Sequence, residues 1–163
     1  MASYLWKGRA IRAQLSMTGE GWDKLHPDMQ RIAVEVIREA QLQGLNVGVL
    51  EGWRDAETQK KYMGAGTSWV GDVDGSYHRW GLACDFVFLD SLGRWTWDPD
   101  NLGDGADQSK SPSWQKLGAI IEKHGLGWGG RFKTFDGPHG ELRLMSIAAL
   151  KATYGNPEAL AWA

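Results

Sequence analysis

Ser76-Tyr77-His78-Arg79-Trp80-Gly81-Leu82-Ala83-Cys84-Asp85-Phe86-Val87-Phe88-Leu89 is the stretch from which the fold is read. Residues 82–89 are an apolar run with aromatic members, the pattern of a buried strand. A turn at 90–93 and a return over 94–97 predict an antiparallel hairpin. Asp85 is out of place in such a strand, because a buried carboxylate is costly unless a cation or a metal pairs with it. His78 precedes it by seven residues in a loop. Cys84, its neighbour in the strand, points to the opposite face and reads as a small buried hydrophobe rather than a nucleophile.

Upstream, Met29, Ile32, Ala33, Val36, Ile37 and Ala40 recur at helical spacing, which predicts a helix over 27–43 stopped by Gly44. A buried strand over 46–50 follows, then a helix over 55–62 capped by Asp55 and a loop over 64–75. Downstream, 98–112 is a polar, glycine-rich excursion. Trp114, Leu117, Ile120 and Ile121 place a helix over 113–124. Short strands are expected at 132–135 and 140–144, and a last helix at 146–154. The mixture is α+β, with helices packed on a small antiparallel sheet.

The 163 residues suit one domain over 1–163, with a core at about 25–143 and the last helix at about 146–154. A formal charge of −2 with scattered basic residues excludes the concentrated positive patch that nucleic acid demands. Cys84 is the single cysteine, so neither a disulfide framework nor a multi-cysteine zinc site can form. Lys7, Arg9 and Arg12 are followed by no apolar run, so neither a signal peptide nor stable membrane insertion is expected. The ten tryptophans are scattered, which favours core packing for most over platforms for a sugar or peptide.

Asp136-Gly137-Pro138-His139 brings a second carboxylate and histidine together in a turn stiffened by Pro138. Two histidines and one aspartate with an open fourth position are the donor set of catalytic rather than structural zinc. Asp136 is the candidate base for the attacking water. Taken singly, these pairs also have structural readings. His124 at a helix end and His26 at a helix entry read as structural, and Asp98, Asp100, Asp104 and Asp107 lack the alternation of a calcium loop.

The segment 76–85, read as Ser-x-His-x-x-Gly-x-Ala-x-Asp, resembles the signature of the zinc D-Ala-D-Ala carboxypeptidase and L-alanyl-D-glutamate endopeptidase family, which includes phage endolysins. The resemblance extends to Glu51-Gly52-Trp53-Arg54 with Gln59 and Tyr62, to Trp128-Gly129-Gly130 and to the 136–139 turn, about 25–142 in all. It implies a hedgehog/D-Ala-D-Ala-peptidase-like fold. It also implies zinc ligands His78, Asp85 and His139 at the sheet's exposed edge, Asp136 as general base, and Arg54 as a cation that polarises the scissile carbonyl or holds substrate. A surface salt bridge is the plain alternative for Arg54. Ser76 either bonds near the metal or shapes the turn. Gly140 departs from the aromatic residue usual in the family, which bears on packing beside the third ligand. Glu141 is either a partner for a histidine or a plain strand carboxylate.

The expected function is therefore a zinc-dependent peptidoglycan hydrolase of endolysin type that cuts the L-Ala–D-Glu bond as a monomer, held in the host cytoplasm until lysis. The alternatives are a D-Ala-D-Ala carboxypeptidase and a non-catalytic, zinc-stabilised wall-binding module.

Overall fold

The computed structural model describes residues 21–162. The readings made on Lys7, Arg9 and Arg12 lie outside the described residues, as does Trp6 among the ten tryptophans. Four α-helices and a five-stranded antiparallel sheet make up the described fold.

Helix α1, Pro27–Leu42, starts where His26 Nδ1 accepts the Asp28 N–H and Pro27 supplies a preset φ. It buries Met29, Ile32, Ala33, Val36, Ile37 and Ala40 on one face, and just beyond its end Gly44 adopts φ 83°. Strand β1, Val47–Glu51, follows directly. Helix α2, Ala56–Gly64, is capped by Asp55, whose carboxylate accepts the Thr58 N–H at 2.6 Å. Ala83–Leu89 forms β2 and Trp95–Thr96 forms β3. Pro112–Lys123 is α3, capped by Ser111. Gly127–Trp128, His139–Glu141 and Ile147–Tyr154 are β4, β5 and α4.

The sheet runs β1-β2-β5-β4, with β3 beside the far half of β2. Strand β2 is thus paired along both edges, and residues on both of its faces are largely buried, which is why it reads as nearly continuous apolar sequence. Cys84 and Phe86 point into the core with Val47 and Val49, against α1 and α3. Burial raises the Cys84 thiol pKa well above its ordinary value, in keeping with an inert core residue.

Two expectations need correction. Residues 132–135 form no strand: the Phe132 and Asp136 N–H groups both close onto the Gly129 carbonyl, so this backbone is satisfied locally instead of across a ladder. The strand is Gly127–Trp128, which pairs with Gly140 and Glu141. Nor does the cluster of His78, Asp85 and His139 sit at the sheet's edge. Asp85 and His139 belong to the two inner strands and are direct partners, so the cluster lies on a sheet face.

Residues after α4 return to the core. Glu158 meets Arg79 at 2.9 Å and the Ala56 N–H at 3.1 Å, and Trp162 Nε1 donates to the Trp80 carbonyl. No helix among the described residues is long and apolar enough to cross a membrane.

Candidate metal centre

His78 is the third-from-last residue of a 3-10 turn, Tyr77–Trp80, that Ser76 caps by accepting the His78 N–H. Ser76 therefore shapes the turn. Gly81 leaves that turn at φ 66°, and a Cβ there would collide with the Lys24 carbonyl, so the position demands glycine on two grounds. The His78 ring is fixed by Nδ1, which lies 2.7 Å from the Gly52 carbonyl. An N–H donated there leaves Nε2 with a lone pair facing inward.

His139 is set the other way round. Its Nε2 lies 2.8 Å from Glu141 Oε2, which leaves Nδ1 facing inward. Glu141 is in turn held by Arg143 at 2.5 Å. Glu141 is thus a partner of a histidine and not a plain strand carboxylate. Gly140 faces the opposite side of β5, where the Phe86 ring stands 2.9 Å from the position a Cβ would take. The departure from the family pattern is thereby filled from a neighbouring strand.

The three inward atoms converge. His78 Nε2 lies 3.2 Å from His139 Nδ1 and 3.3 Å from Asp85 Oδ1, and His139 Nδ1 lies 3.5 Å from the same oxygen. Donors bound at about 2.0–2.1 Å in a tetrahedron stand about 3.3–3.4 Å apart. The cluster therefore has the edge lengths of one face of a tetrahedral zinc site, and among the described residues these three are a group able to hold a metal.

Charge is concentrated here. Burial opposes ionisation of Asp85, yet His78 and His139 hold its carboxyl well below the usual range. Burial likewise opposes charge on His139, but Asp85 and Glu141 overcome it and push the imidazole up to about 10. Asp136 moves in the other direction: burial first, then the Asp85 charge, raises its pKa.

Arg54 is buried, not a surface residue. Its Nε and Nη2 grip both oxygens of Glu51 at 2.7 and 2.8 Å, and Nη1 donates to Gln59 at 2.8 Å. Nη2 also lies 3.5 Å from Asp85 Oδ2, and Tyr62 stacks below the guanidinium at 4.5 Å. Glu51 reaches this position through a β-bulge. Val49 pairs with Phe86, and an unbroken register would pair Glu51 with Cys84 on the core face. The register shifts, and Glu51 pairs with Asp85 instead. Glu51, Asp85 and His139 consequently form one row across β1, β2 and β5.

The 136–139 turn has its own support. Trp128 is buried against Gly118 and Gly130, and its Nε1 donates to the Gly137 carbonyl at 2.8 Å. At Gly129 a Cβ would stand 2.5 Å from the Asp136 carbonyl oxygen and 2.8 Å from His139 Cβ. The Trp128-Gly129-Gly130 run thus lets the turn approach the sheet. Arg79, which sequence reasoning passed over, donates to the Arg54 carbonyl and pairs with Asp74 and Glu158. An arginine buried this deeply needs such partners, and only the folded chain reveals them.

Above the cluster opens a cleft of about 590 Å³, into which Arg54, Ser76, His78, Asp85, Asp136, His139 and Glu141 all face. The other singled-out residues lie elsewhere. His124 pairs with Glu39 at 2.7 Å, and His26 caps α1.

A family model described as D-alanyl-D-alanine carboxypeptidase matches residues 69–142. The peptidoglycan L-alanyl-D-glutamate endopeptidase CwlK of Bacillus subtilis (strain 168) is 32% identical over 125 residues, which span 72% of this chain and 73% of that protein. The crystal structure of the L-Ala D-Glu endopeptidase ChiX of Serratia marcescens superimposes with a TM-score of 0.57 at 24% identity, covering 78% of this chain and 87% of that one, and so shares the fold. The chain belongs to the metallopeptidase family that unites D-alanyl-D-alanine carboxypeptidases with L-alanyl-D-glutamate endopeptidases.

Proposed function

We propose that this peptidase is zinc-dependent and cuts the L-Ala–D-Glu bond of peptidoglycan stem peptides, with His78, Asp85 and His139 as ligands, Asp136 as general base and Arg54 as a positioning cation. The observation that carries the reading is the set of three inward donor atoms at 3.2–3.5 Å, each backed by an outer partner, at the floor of an open cleft. Zinc bound there supplies the Lewis acid that activates water and polarises a carbonyl.

The chain's own residues do the rest. Gly52 and Glu141 orient the two imidazoles. Asp136, with its pKa raised by burial and by Asp85, is suited to take a proton from the attacking water and return it to the leaving amine. Arg54 has five N–H groups. Three are held by Glu51 and Gln59, and Nη2 also approaches Asp85. Glu51 and Gln59 thus fix the guanidinium beside Asp85, and what remains of Nη1 is open to a substrate oxygen. The specificity follows the relative from B. subtilis, whose name carries that activity.

The competing specificity is removal of terminal D-Ala, which the description of the family model favours. Mass spectrometry of digested peptidoglycan separates the two, using metal-loaded protein, chelated protein and His78→Ala. Fragments ending in L-Ala from the loaded protein alone support the proposal. Release of D-Ala would replace it, and no cleavage by protein shown to hold one zinc would refute it. The lysis role expected from the sequence belongs to the same proposal. It predicts that added protein clears bacteria whose walls are exposed.

A further inference from the structure

The charged floor of the cleft is rimmed by large rings left in water. Trp69 is 63% exposed and Trp97 is 40% exposed, and both line the cleft that holds His78, Asp85 and His139. They arrive from distant parts of the chain, Trp69 from the loop after α2 and Trp97 from the residue just beyond β3. Trp80, Trp114 and Trp128, by contrast, are wholly buried. Exposed apolar groups gathered at a polar cleft mark ligand-binding surfaces, whereas scattered ones do not.

Both rings stand on anchored backbone. Next to Trp69, Ser68 Oγ accepts the side-chain N–H of Gln59, the same residue that holds Arg54. The Trp97 carbonyl accepts the Nε1–H of buried Trp114 at 3.1 Å, and the Trp97 ring leans on Trp95 at 5.5 Å between centroids. Platforms held in this way lose little freedom on binding.

The chemistry of the substrate says what such platforms meet. The stem peptide is joined to the glycan through the amine of its first residue, L-Ala, in an amide with the lactyl group of N-acetylmuramic acid. A residue spans about 3.5 Å of extended chain. A cut after the first residue therefore draws the sugar to the mouth of the cleft, while a cut between terminal D-Ala residues leaves it at the far end of the stem. A pyranose presents a face of C–H groups, which packs on an aromatic face, and indole offers the widest one.

We infer that Trp69 and Trp97 form a sugar subsite, stacking on the N-acetylmuramyl unit and its glycan neighbour so that the attached L-Ala–D-Glu bond reaches the metal. This inference rests on the L-Ala–D-Glu reading. It makes the enzyme selective for stem peptides still attached to glycan over free ones.

The test has two arms on the metal-loaded protein. In the first, a peptide-free N-acetylglucosaminyl–N-acetylmuramyl tetrasaccharide is titrated while the indole N–H resonances are followed by NMR. The Trp69 and Trp97 signals should shift, and Trp69→Ala or Trp97→Ala should weaken binding about three- to tenfold. In the second, kcat/KM is compared between a disaccharide-linked tetrapeptide and the same tetrapeptide free. The wild-type ratio should favour the linked substrate, and each substitution should bring the ratio towards one through KM. Circular dichroism checks that the variants are folded.

Unmoved Trp69 and Trp97 signals, equal wild-type rates on the two substrates, or variants that weaken both substrates alike would overturn the subsite. The last outcome would assign the rings to the peptide instead. If the wild type frees L-Ala-ended products from neither substrate, the endopeptidase reading fails, and the titration alone then decides the sugar site.

Discussion

Two regions of this molecule are rich in carboxylates, and they behave in opposite ways. In the loop before α3, Asp98 accepts the Leu102 and Gly103 N–H groups, Asp107 accepts from Ser109, and Asp100 accepts from Ser111 and Ser113. Hydrogen bonds from nearby groups hold Asp98 and Asp107 below their ordinary range, and at Asp100 burial opposes ionisation but the bonds from Ser111 and Ser113 overcome it; each is satisfied by the chain beside it or by the start of the next helix. Around His78, the carboxylates of Glu51, Asp85, and Asp136 with Glu141 come from three separate segments, and burial weighs heavily on Asp85, Asp136 and Glu141. Carboxylates that close local turns build a loop. Convergence from separate strands on the floor of a cleft builds a candidate place for a cation.

The sharpest way to break this contrast is to remove a ligand. His78→Ala, or chelation of the wild type, is expected to abolish cleavage and lower metal content below one per chain, as read by mass spectrometry of products and elemental analysis. Asp104→Ala, in the other acidic region, should change neither. Asp136→Ala should lower kcat by about 10²–10⁴ while metal content stays at one, because a general base contributes on that order.

The proposed metal and a proton compete for the same centre. The His139 pKa in the metal-free protein is raised from 6.5 to about 10. Its protonation therefore adds stability to that form in full below the ordinary imidazole pKa, and this is lost as pH rises through about 10. Metal must displace the proton, so apparent affinity should rise about tenfold per pH unit between 6 and 8. Calorimetry in buffers of different ionisation enthalpy should detect the proton released. Affinity independent of pH would show that His139 binds metal without giving up a proton.

Smaller effects sharpen the comparison further. Glu141→Gln keeps the shape of the group beside His139 but removes its charge, and should weaken metal binding about 10–100-fold in a competition assay. Asp100→Ala should leave metal affinity unchanged and lower stability by about 1 kcal/mol in urea unfolding, the usual worth of a helix-start acceptor.

Much of this was legible in the chain itself. Helical spacing located α1 and α3 within a residue or two, since their buried faces are continuous and their caps, His26 with Pro27 and Ser111 with Pro112, lie in adjacent sequence. The charge of Asp85 in an apolar strand marked a residue that needs a partner wherever the strand lies, and the resemblance of 76–85 to the family signature made it a candidate metal ligand. Residues 132–135 misled because a short stretch bounded by Phe132 and Phe135 reads the same whether its backbone is paired to a strand or, as here, folded onto Gly129.

What the sequence determined alone was therefore local: periodicity, caps, and which side chains are too costly to bury unpaired. Tertiary structure decided which of them meet. The bulge between Val49 and Glu51 turned Glu51 from the core face to the face of Asp85, the Trp128 ring drew the 136–139 turn onto the sheet, and Arg79 was buried among Asp74, Arg54 and Glu158. Each depends on register and packing between segments distant along the chain. The free energy of such contacts belongs to the pair, so neither partner's sequence records it.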